Sequence, residues 1–315
     1  MIEIQNLTIT YNGRRAIDDL SLTVEKGDIF GFVGPNGAGK TSTIRVMATL
    51  LEPASGDILI DGHSVQSSPR AVQNKIGYMP DIFGVYDDML LWEYLDFFGA
   101  CYRIPENERK ELIVDLLELV DLSNRRDDQV KRLSQGMKQR LSLARTLMHD
   151  PEVLVLDEPA SGLDPRARIE IRELLRELAQ MGKTIFFSTH ILADVSEICS
   201  QVAILEAGKL VACGSIEDLQ TQLTPVRKIQ ITVLDKADAA RDFLNQNRLI
   251  SKITSSEDGA KQMAATIHFD FSGTDDDKSA LLASLVQAGI PIVHFSEDSQ
   301  NMENVFMRAT KGIIS

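Results

Sequence analysis

The eight residues from Gly34 to Thr41 constrain the fold of this chain more than any others. They read Gly-Pro-Asn-Gly-Ala-Gly-Lys-Thr and fit the pattern G-x-x-x-x-G-K-[ST]. The apolar run at residues 28–33 (DIFGFV) predicts a buried strand before them, and a helix is expected after them. Glycines allow backbone N–H groups to wrap an anion, and the helix aims its N-terminus at the same place. A structural glycine turn would fit the bare pattern, but this placement favours a phosphate-binding loop.

Lys40 and Thr41 supply the chemistry that such a loop needs. The lysine is expected to contact the β- and γ-phosphates of a nucleotide, and the Thr41 hydroxyl is a candidate Mg²⁺ ligand. Residues 153–156 (VLVL) predict a second buried strand, which ends at Asp157 and Glu158. Beside a phosphate loop, Asp157 is expected to hold Mg²⁺ and Glu158 to act as general base on an attacking water. Without the loop, the two acids would be read as the solvated end of a strand.

The rest of the first two thirds of the chain predicts an α/β body. Alternating apolar residues at 2, 4, 7 and 9 predict an opening strand, and Thr184–Ser188 predicts another buried strand. A helix is expected at Arg166–Gln180, and its predicted apolar face consists of Ile169, Leu174, Leu175 and Leu178. Strand, helix and strand in succession predict a parallel sheet covered by helices. A helical insertion is expected over about 70–145, with helices at 92–98, 108–120 and 137–148.

After Gln222 the pattern changes, and residues 223–226 are a candidate linker. Alternation predicts strands at Lys228–Leu234 and Ala265–Phe271. Helices are expected at 238–246 and 277–288, the latter opened by acidic residues that suit its dipole, and a strand at 291–295. We therefore expect domains at 1–222 and 227–315, the second a small α+β domain. His268, Asp270 and His294 are more consistent with the solvent face of a sheet than with a metal site.

Composition limits the classes of partner. The 315 residues include 33 Lys or Arg and 46 Asp or Glu, a formal net charge of −13, which disfavours nucleic acid and anionic membrane surfaces. Residues 125–145 nevertheless hold seven Lys or Arg against two Asp, which suits ATP locally. Three scattered cysteines without a CxxC pair indicate a reducing compartment. No apolar window is long enough to span a membrane and the amino end does not read as a secretory signal, so a membrane role would need a separate spanning protein.

Further motifs in the same order support a family resemblance. Leu133-Ser-Gln-Gly-Met137 resembles the LSGGQ signature of ATP-binding cassette (ABC) proteins, and Ser161-Gly-Leu-Asp164 is similar to their D-loop. Ser188-Thr-His190 is similar to their switch histidine. Over about residues 1–222 the chain thus resembles the ATP-binding subunit of an ABC transporter. The tail from about Val226, ending in Asn301-Met-Glu-Asn-Val-Phe306-Met, resembles the accessory domain of bacterial ABC-type exporters.

This resemblance implies an α/β phosphate-loop ATPase core with an antiparallel β edge and a helical insertion, followed by a small C-terminal α+β domain. It implies ATP and Mg²⁺ as ligands, and His190 as a catalytic residue with Glu158. It implies a head-to-tail homodimer, or a heterodimer with a related ATPase subunit, bound to a separate transmembrane permease at the inner face of the membrane. Ser134, Gly136 and Asp164 would contact the ATP of the partner subunit. The residues implied for ATP of the same subunit are Tyr11, Gly34, Pro35, Asn36, Gly37, Ala38, Gly39, Lys40, Thr41 and Ser42.

Two positions depart from the family pattern. Asp81 stands where the family usually has a glutamine that touches Mg²⁺ and senses the membrane partner. A carboxylate can still bind Mg²⁺, so Asp81 is a candidate metal ligand that couples partner docking to catalysis. In the signature, Gln135 replaces a glycine and Met137 replaces a glutamine, while Ser134 and Gly136 remain.

Export is the function that the resemblance favours. The alternatives are an importer subunit and a soluble ABC-type ATPase of DNA repair or translation. The last class typically carries a long coiled-coil insertion, zinc-binding cysteines or two cassettes in one chain, and this sequence has none of these. The expected function is therefore to bind and hydrolyse ATP and so to power a membrane exporter through ATP-driven dimerisation.

Overall fold

The computed structural model of the chain describes residues 1–82, 84, 86–223, 227–234, 236–257, 265–297 and 306. The chain divides into two compact units, of which the first comprises Met1–Ile216 and the second begins at Glu217. The expected linker at 223–226 lies outside the described residues except for Leu223. The ending Asn301–Met307 also lies outside them, apart from Phe306.

The first unit is built from both strands and helices, as the sequence predicts. Its strands are β1 (Ile2–Tyr11), β2 (Arg14–Val24), β3 (Ile29–Val33), β4 (Ser55–Ile60), β5 (His63–Ser64), β6 (Ile76–Met79), β7 (Val153–Asp157), β8 (Thr184–Thr189), β9 (Gln201–Glu206) and β10 (Lys209–Gly214). Its helices are α1 (Lys40–Met47), α2 (Pro69–Lys75), α3 (Leu91–Cys101), α4 (Glu106–Leu119), α5 (Gln135–Leu147), α6 (Pro165–Gln180) and α7 (Leu192–Ile198). Helix α8 (Ile216–Leu223) contains the division between the units.

A six-stranded sheet in the order β10-β9-β3-β8-β7-β6 forms the centre of this unit. Its strands pair in parallel except β10, which is antiparallel to β9. All residues of β3, β7 and β8 are buried, because both faces of the sheet are covered. Parallel pairing brings the carboxyl ends of neighbouring strands to one edge, where loops can share a site.

Side-chain alternation along β7 separates two apolar cores. Val153 and Val155 pack on the side of an antiparallel sheet with the order β2-β1-β4-β5. Leu154 and Leu156 pack on the other side, in a core shared with α3, α4, α5 and α6. Since successive side chains of a strand point to opposite faces, one apolar strand serves both cores. The expected α/β class with an antiparallel β edge is confirmed.

The helical segment between β6 and β7 begins later than the predicted start of the insertion at about residue 70. The range 70–145, expected to be mostly helical, also contains β6, which pairs in parallel with β7 at the sheet edge. Four residues, Ile-Gly-Tyr-Met, are too short a run to be distinguished from a helical segment by periodicity. Helices α3, α4 and α5 follow, with bounds close to the predicted ones, and share the core with β7 and β8.

The predicted apolar face of α6 is wrong at one residue. Ile169 is 50% exposed, and Ile171 is buried with Leu174, Leu175 and Leu178 instead. Ile171 precedes Leu174 and Leu175 by three and four residues, so it lies on their face of the helix. Ile169 precedes them by five and six residues and points away.

The second unit has the order of strands and helices that is typical of a ferredoxin-like domain, β-α-β-β-α-β. Its elements are β11 (Arg227–Val233), α9 (Ala237–Asn245), β12 (Ile250–Glu257), β13 (Ala265–Phe271), α10 (Asp275–Gln287) and β14 (Ile292–Glu297). The sheet order is β12-β13-β11-β14, and all its pairs are antiparallel. Apolar residues of both helices and of the sheet form one core, which includes Ile229, Ile231, Leu244, Phe269, Leu281 and Leu285.

Sequence periodicity predicts every strand of this unit except β12. That strand has a register shift between Ser251 and Thr254, where Lys252 has a positive φ of 50°, so regular alternation is lost. Asp277 caps α10 together with Thr274, which confirms that the acidic residues open a helix. His268 is exposed on β13, and no cluster of potential metal ligands occurs among the described residues.

None of the helices in the described ranges is long and apolar enough to cross a membrane. All three cysteines, Cys101, Cys199 and Cys213, are free.

Candidate nucleotide site

Four neighbouring strands deliver the candidate site residues to one edge of the central sheet. The phosphate loop follows β3, the segment with His190 follows β8, the two acids end β7, and Asp81 follows β6. These strands are adjacent in the order β3-β8-β7-β6 and run in parallel. Residues from four separate parts of the sequence thereby meet in one place.

The phosphate loop depends on Gly39 at its end. Gly39 has a φ of 105°, a backbone angle that residues other than glycine rarely adopt. A Cβ there would also meet the Ala16 carbonyl oxygen at 2.5 Å. Helix α1 starts at the next residue, Lys40. The Lys40 side chain is 6% exposed, and its Nζ donates to the Gly34 carbonyl at 2.7 Å and the Pro35 carbonyl at 3.3 Å. The ammonium group is thus held within the curve of the loop.

Glu158 lies between two nitrogen-bearing side chains. Its Oε1 is 3.3 Å from Lys40 Nζ and its Oε2 is 2.8 Å from His190 Nδ1. Only 11% of the Glu158 side chain is exposed, whereas 47% of the His190 side chain is. The backbone of Glu158 has a φ of 51°, which is uncommon for a residue other than glycine. This turn ends β7 and separates the direction of Glu158 from that of Asp157.

Asp157 is buried and fixed by hydroxyl groups. Its Oδ1 accepts hydrogen bonds from Ser188 Oγ at 2.6 Å and from Thr41 Oγ at 3.2 Å. Ser188 Oγ also accepts from the Glu158 backbone N–H at 3.0 Å. Ser188 therefore holds both acids. Our sequence reasoning assigned it no role, although it stands opposite Asp157 in the register of β7 and β8.

A cavity of about 400 Å³ opens beside these groups. Ala16 and Ser161 line it in addition to residues that the sequence singles out. Gly34, Pro35, Ala38 and Asp157 belong to the surrounding framework and do not line it. The expected site residues that do line it are Tyr11, Asn36, Gly37, Gly39, Lys40, Thr41, Ser42, Asp81, Glu158 and His190.

Asp81 brings a third carboxylate to this cavity. Partial burial raises the pKa of Asp81, and the negative charges of Asp157 and Glu158 raise it further, while His190 lowers it. Asp81 is thus near enough to the other two acids to interact with them electrostatically.

Ser134, Gly136 and Asp164 lie outside the cavity of their own chain. Ser134 Oγ caps α5 by accepting from the Met137 N–H at 3.3 Å, and Asp164 caps α6 by accepting from the Ala167 N–H at 3.0 Å. A Cβ on Gly136 would meet the Ala167 Cβ at 2.9 Å, so the start of α5 lies close to the first turn of α6. The capping contacts give Ser134 and Asp164 a local structural role whatever else they do.

Comparison with known proteins gives the family. The family described as ABC transporter matches residues 17–161, which include the phosphate loop and both acids. The chain is also 38% identical over 311 residues to the ABC transporter ATP-binding protein YhcH of Bacillus subtilis, covering 98% of this chain and 96% of that protein. The chain belongs to the ABC transporter family.

Other members resemble this ABC protein over its length or its fold. The Nod factor export ATP-binding protein I of Burkholderia orbicola is 33% identical over 314 residues, 98% of this chain and 96% of that protein. A solved structure described as an ATP-binding subunit of an ABC transporter is 30% identical, with a TM-score of 0.64 over 70% of this chain and 92% of its own. The expected fold, family and ATPase class are therefore confirmed.

Proposed function

We propose that this ABC protein hydrolyses ATP at the candidate nucleotide site and thereby powers a membrane exporter. The position of Glu158 carries the proposal. Its carboxylate lies at a cavity bordered by the phosphate loop, with Lys40 on one side and His190 on the other. A carboxylate beside a phosphate-binding lysine is placed to activate a water for attack on a terminal phosphate.

The residues divide into those that bind ATP and those that act on water. Lys40 and the backbone N–H groups of the loop bind the phosphates, and the exposed ring of Tyr11 stacks on the adenine. Glu158 accepts the proton of the attacking water at a carboxylate oxygen. His190 contacts the γ-phosphate and keeps the water in line. The proposed ATP contacts are Tyr11, Gly34, Pro35, Asn36, Gly37, Ala38, Gly39, Lys40, Thr41 and Ser42.

The residues beside the loop fit Mg²⁺, which we propose as the cofactor. The Thr41 hydroxyl and the Asp157 carboxylate are 3.2 Å apart, and both are oxygen ligands of the type that Mg²⁺ prefers. Asp81, which lines the cavity together with Thr41, is a further candidate ligand. Neutralisation of charge on the phosphate oxygens is the chemistry that the bound ion supplies. Ser188 orients Asp157 for this role.

We further propose that two ATPase subunits close on ATP head to tail. Ser134 and Gly136 begin α5, so the N–H groups of that helix can bind a γ-phosphate presented by a partner subunit. Asp164, at the start of α6, would lie at the same interface. The partner is a second copy of this chain or a related ATPase subunit.

Export is favoured because the relative named for export aligns over 98% of this chain, including the C-terminal unit. The proposed arrangement is a peripheral subunit at the cytoplasmic face of the membrane, bound to a separate transmembrane permease. The net charge of −13 supports a protein rather than a nucleic acid as partner.

The Glu158→Gln variant tests the catalytic part of this proposal. The amide keeps the shape of the side chain but cannot take the proton, so turnover should fall about 10²–10⁴-fold while ATP binding remains. Steady-state phosphate release and equilibrium binding of a fluorescent ATP analogue measure the two properties. Hydrolysis close to the wild-type rate would refute the role of Glu158.

Co-purification tests the transport part. The chain should be recovered in detergent with a membrane protein of about six spans encoded beside it, and ATP turnover should depend on that protein. Recovery with nucleic acid or ribosomes instead would contradict the assignment to transport.

A further inference from the structure

A buried ion pair joins the two helices that follow Glu158 and His190. Arg172 lies in α6 and Asp194 in the first turn of α7, and Arg172 Nη1 donates to Asp194 Oδ1 at 3.1 Å. Their side chains are 11% and 3% exposed. Arg172 Nη2 also lies 3.1 Å from Glu197 Oε2, one turn further along α7. The guanidinium group therefore holds α7 at two points.

The ion pair is the second of two contacts between the same two segments of the chain, and the first is the hydrogen bond between His190 and Glu158. From Glu158 the chain runs into α6 at Pro165, and from His190 it runs into α7 at Leu192. At the cavity the two segments meet through His190 Nδ1 and Glu158 Oε2, and beyond it α6 and α7 meet through Arg172 and Asp194. Because almost half of the His190 ring is exposed, its position depends on the backbone segment that carries it.

Stability alone does not account for this pair. Burial raises the pKa of Asp194 although Arg172 and Arg168 both lower it, so desolvation outweighs attraction. Asp194 Oδ2 and Arg172 Nε are buried and have no hydrogen-bond partner within the described part of the chain. A buried polar group that loses its water without gaining a hydrogen bond lowers the stability of the folded chain. A small cavity also lies against both residues, lined on other sides by Pro159 and Thr189, the neighbours of Glu158 and His190.

We propose that Arg172 and Asp194 are positioning residues that keep His190 opposite Glu158 by tying α7 to α6. This inference rests on the proposed function. Neither residue lines the nucleotide cavity, so both act through the backbone of their helices. Because α6 begins directly after Asp164, which we place at the interface with the partner subunit, the ion pair also links that interface to His190.

A double variant, Arg172→Met with Asp194→Leu, separates positioning from stability. Well-packed apolar replacement of a buried ion pair is often neutral or stabilising, so the melting temperature should stay within a few degrees of the wild type or rise. We expect kcat for ATP to fall about 10- to 100-fold, as misplaced catalytic groups do, while KM changes less than about twofold. Hydrogen exchange at residues 190–198 should become faster.

Asp194→Asn is the second variant. If the double variant does not fold, this variant tests whether the ion pair positions His190. It keeps the side-chain shape and is assayed at a temperature where circular dichroism shows a folded chain. The kcat should again fall, while KM stays close to the wild-type value.

Glu173→Gln, which removes an exposed ion pair with Arg176 on the same helix, is the matched control and should leave kcat unchanged. Wild-type kcat in a folded Arg172 or Asp194 variant would overturn the inference, as would equal losses in kcat and in ATP affinity. Failure of the proposed function is distinguishable, because the wild-type chain would then release no phosphate.

Discussion

Ser188→Ala should weaken both the fold and the catalytic site. The substitution removes the hydrogen bond to the Asp157 carboxylate at 2.6 Å and the bond from the Glu158 N–H at 3.0 Å. Hydrogen bonds to charged groups contribute about 1.5–3 kcal/mol and neutral ones about 0.5–1.5 kcal/mol. Since Ser188 is fully buried, no water replaces the hydroxyl at the surface. The free energy of unfolding should therefore fall by about 2–4.5 kcal/mol.

The same change should weaken Mg²⁺-dependent turnover, because groups that orient a metal ligand are worth about 10- to 100-fold in affinity or activity. Urea unfolding followed by circular dichroism measures the first effect, and ATPase rates against Mg²⁺ concentration measure the second. Ser196→Ala, which removes an exposed hydroxyl bonded within α7, is the control and should change stability by less than about 0.5 kcal/mol. If Ser188→Ala matched that control in both assays, the geometry assigned to Asp157 and Glu158 would be wrong.

Three further substitutions test other parts of the structure. Gly39→Ala should weaken binding of a fluorescent ATP analogue at least tenfold, because a left-handed φ costs other residues about 1–3 kcal/mol and the Cβ meets Ala16; unchanged binding would contradict the loop geometry. Asp81→Asn should raise the urea midpoint at neutral pH, since the raised pKa disfavours the charged form in the folded chain, and the gain should vanish below about pH 4. Asp275→Asn should do the opposite in the second unit: the Arg227 hydrogen bond lowers the pKa of Asp275, so the variant should be less stable at neutral pH, with the difference disappearing as the pH falls through the pKa in the folded chain. A pH-independent difference in either variant would exclude the electrostatic cause.

The central sheet and the phosphate loop are largely predictable because each is specified by local sequence. A fully buried strand such as β3 is a continuous apolar run, and the following loop has glycines at fixed spacing. The acids at the end of β7 are predictable for the same reason. The separate directions of Asp157 and Glu158 are not, because they depend on one backbone angle at Glu158.

Contacts between distant parts of the chain are what sequence patterns miss. Ser188 acquires its role only from the register of β7 against β8, and Arg172 meets Asp194 only because α6 packs beside α7. Short or irregular elements such as β6 and β12 are missed for another reason, since their side-chain alternation is too brief or is interrupted.

The strand order of the central sheet also determines when the sheet can form during synthesis of the protein. Ile29 of β3 pairs with Ile185 of β8, so the strand before the phosphate loop lacks this partner until more than 150 further residues have been made. At about 5–20 residues per second, a ribosome needs roughly 8–30 seconds for that stretch. During this time β3 and the phosphate loop at Gly34–Thr41 have been synthesised, but β8 has not. The site therefore still lacks Ser188 and His190. Assembly of the complete site, with Asp157 held by Ser188 and Glu158 beside His190, therefore awaits synthesis of β8.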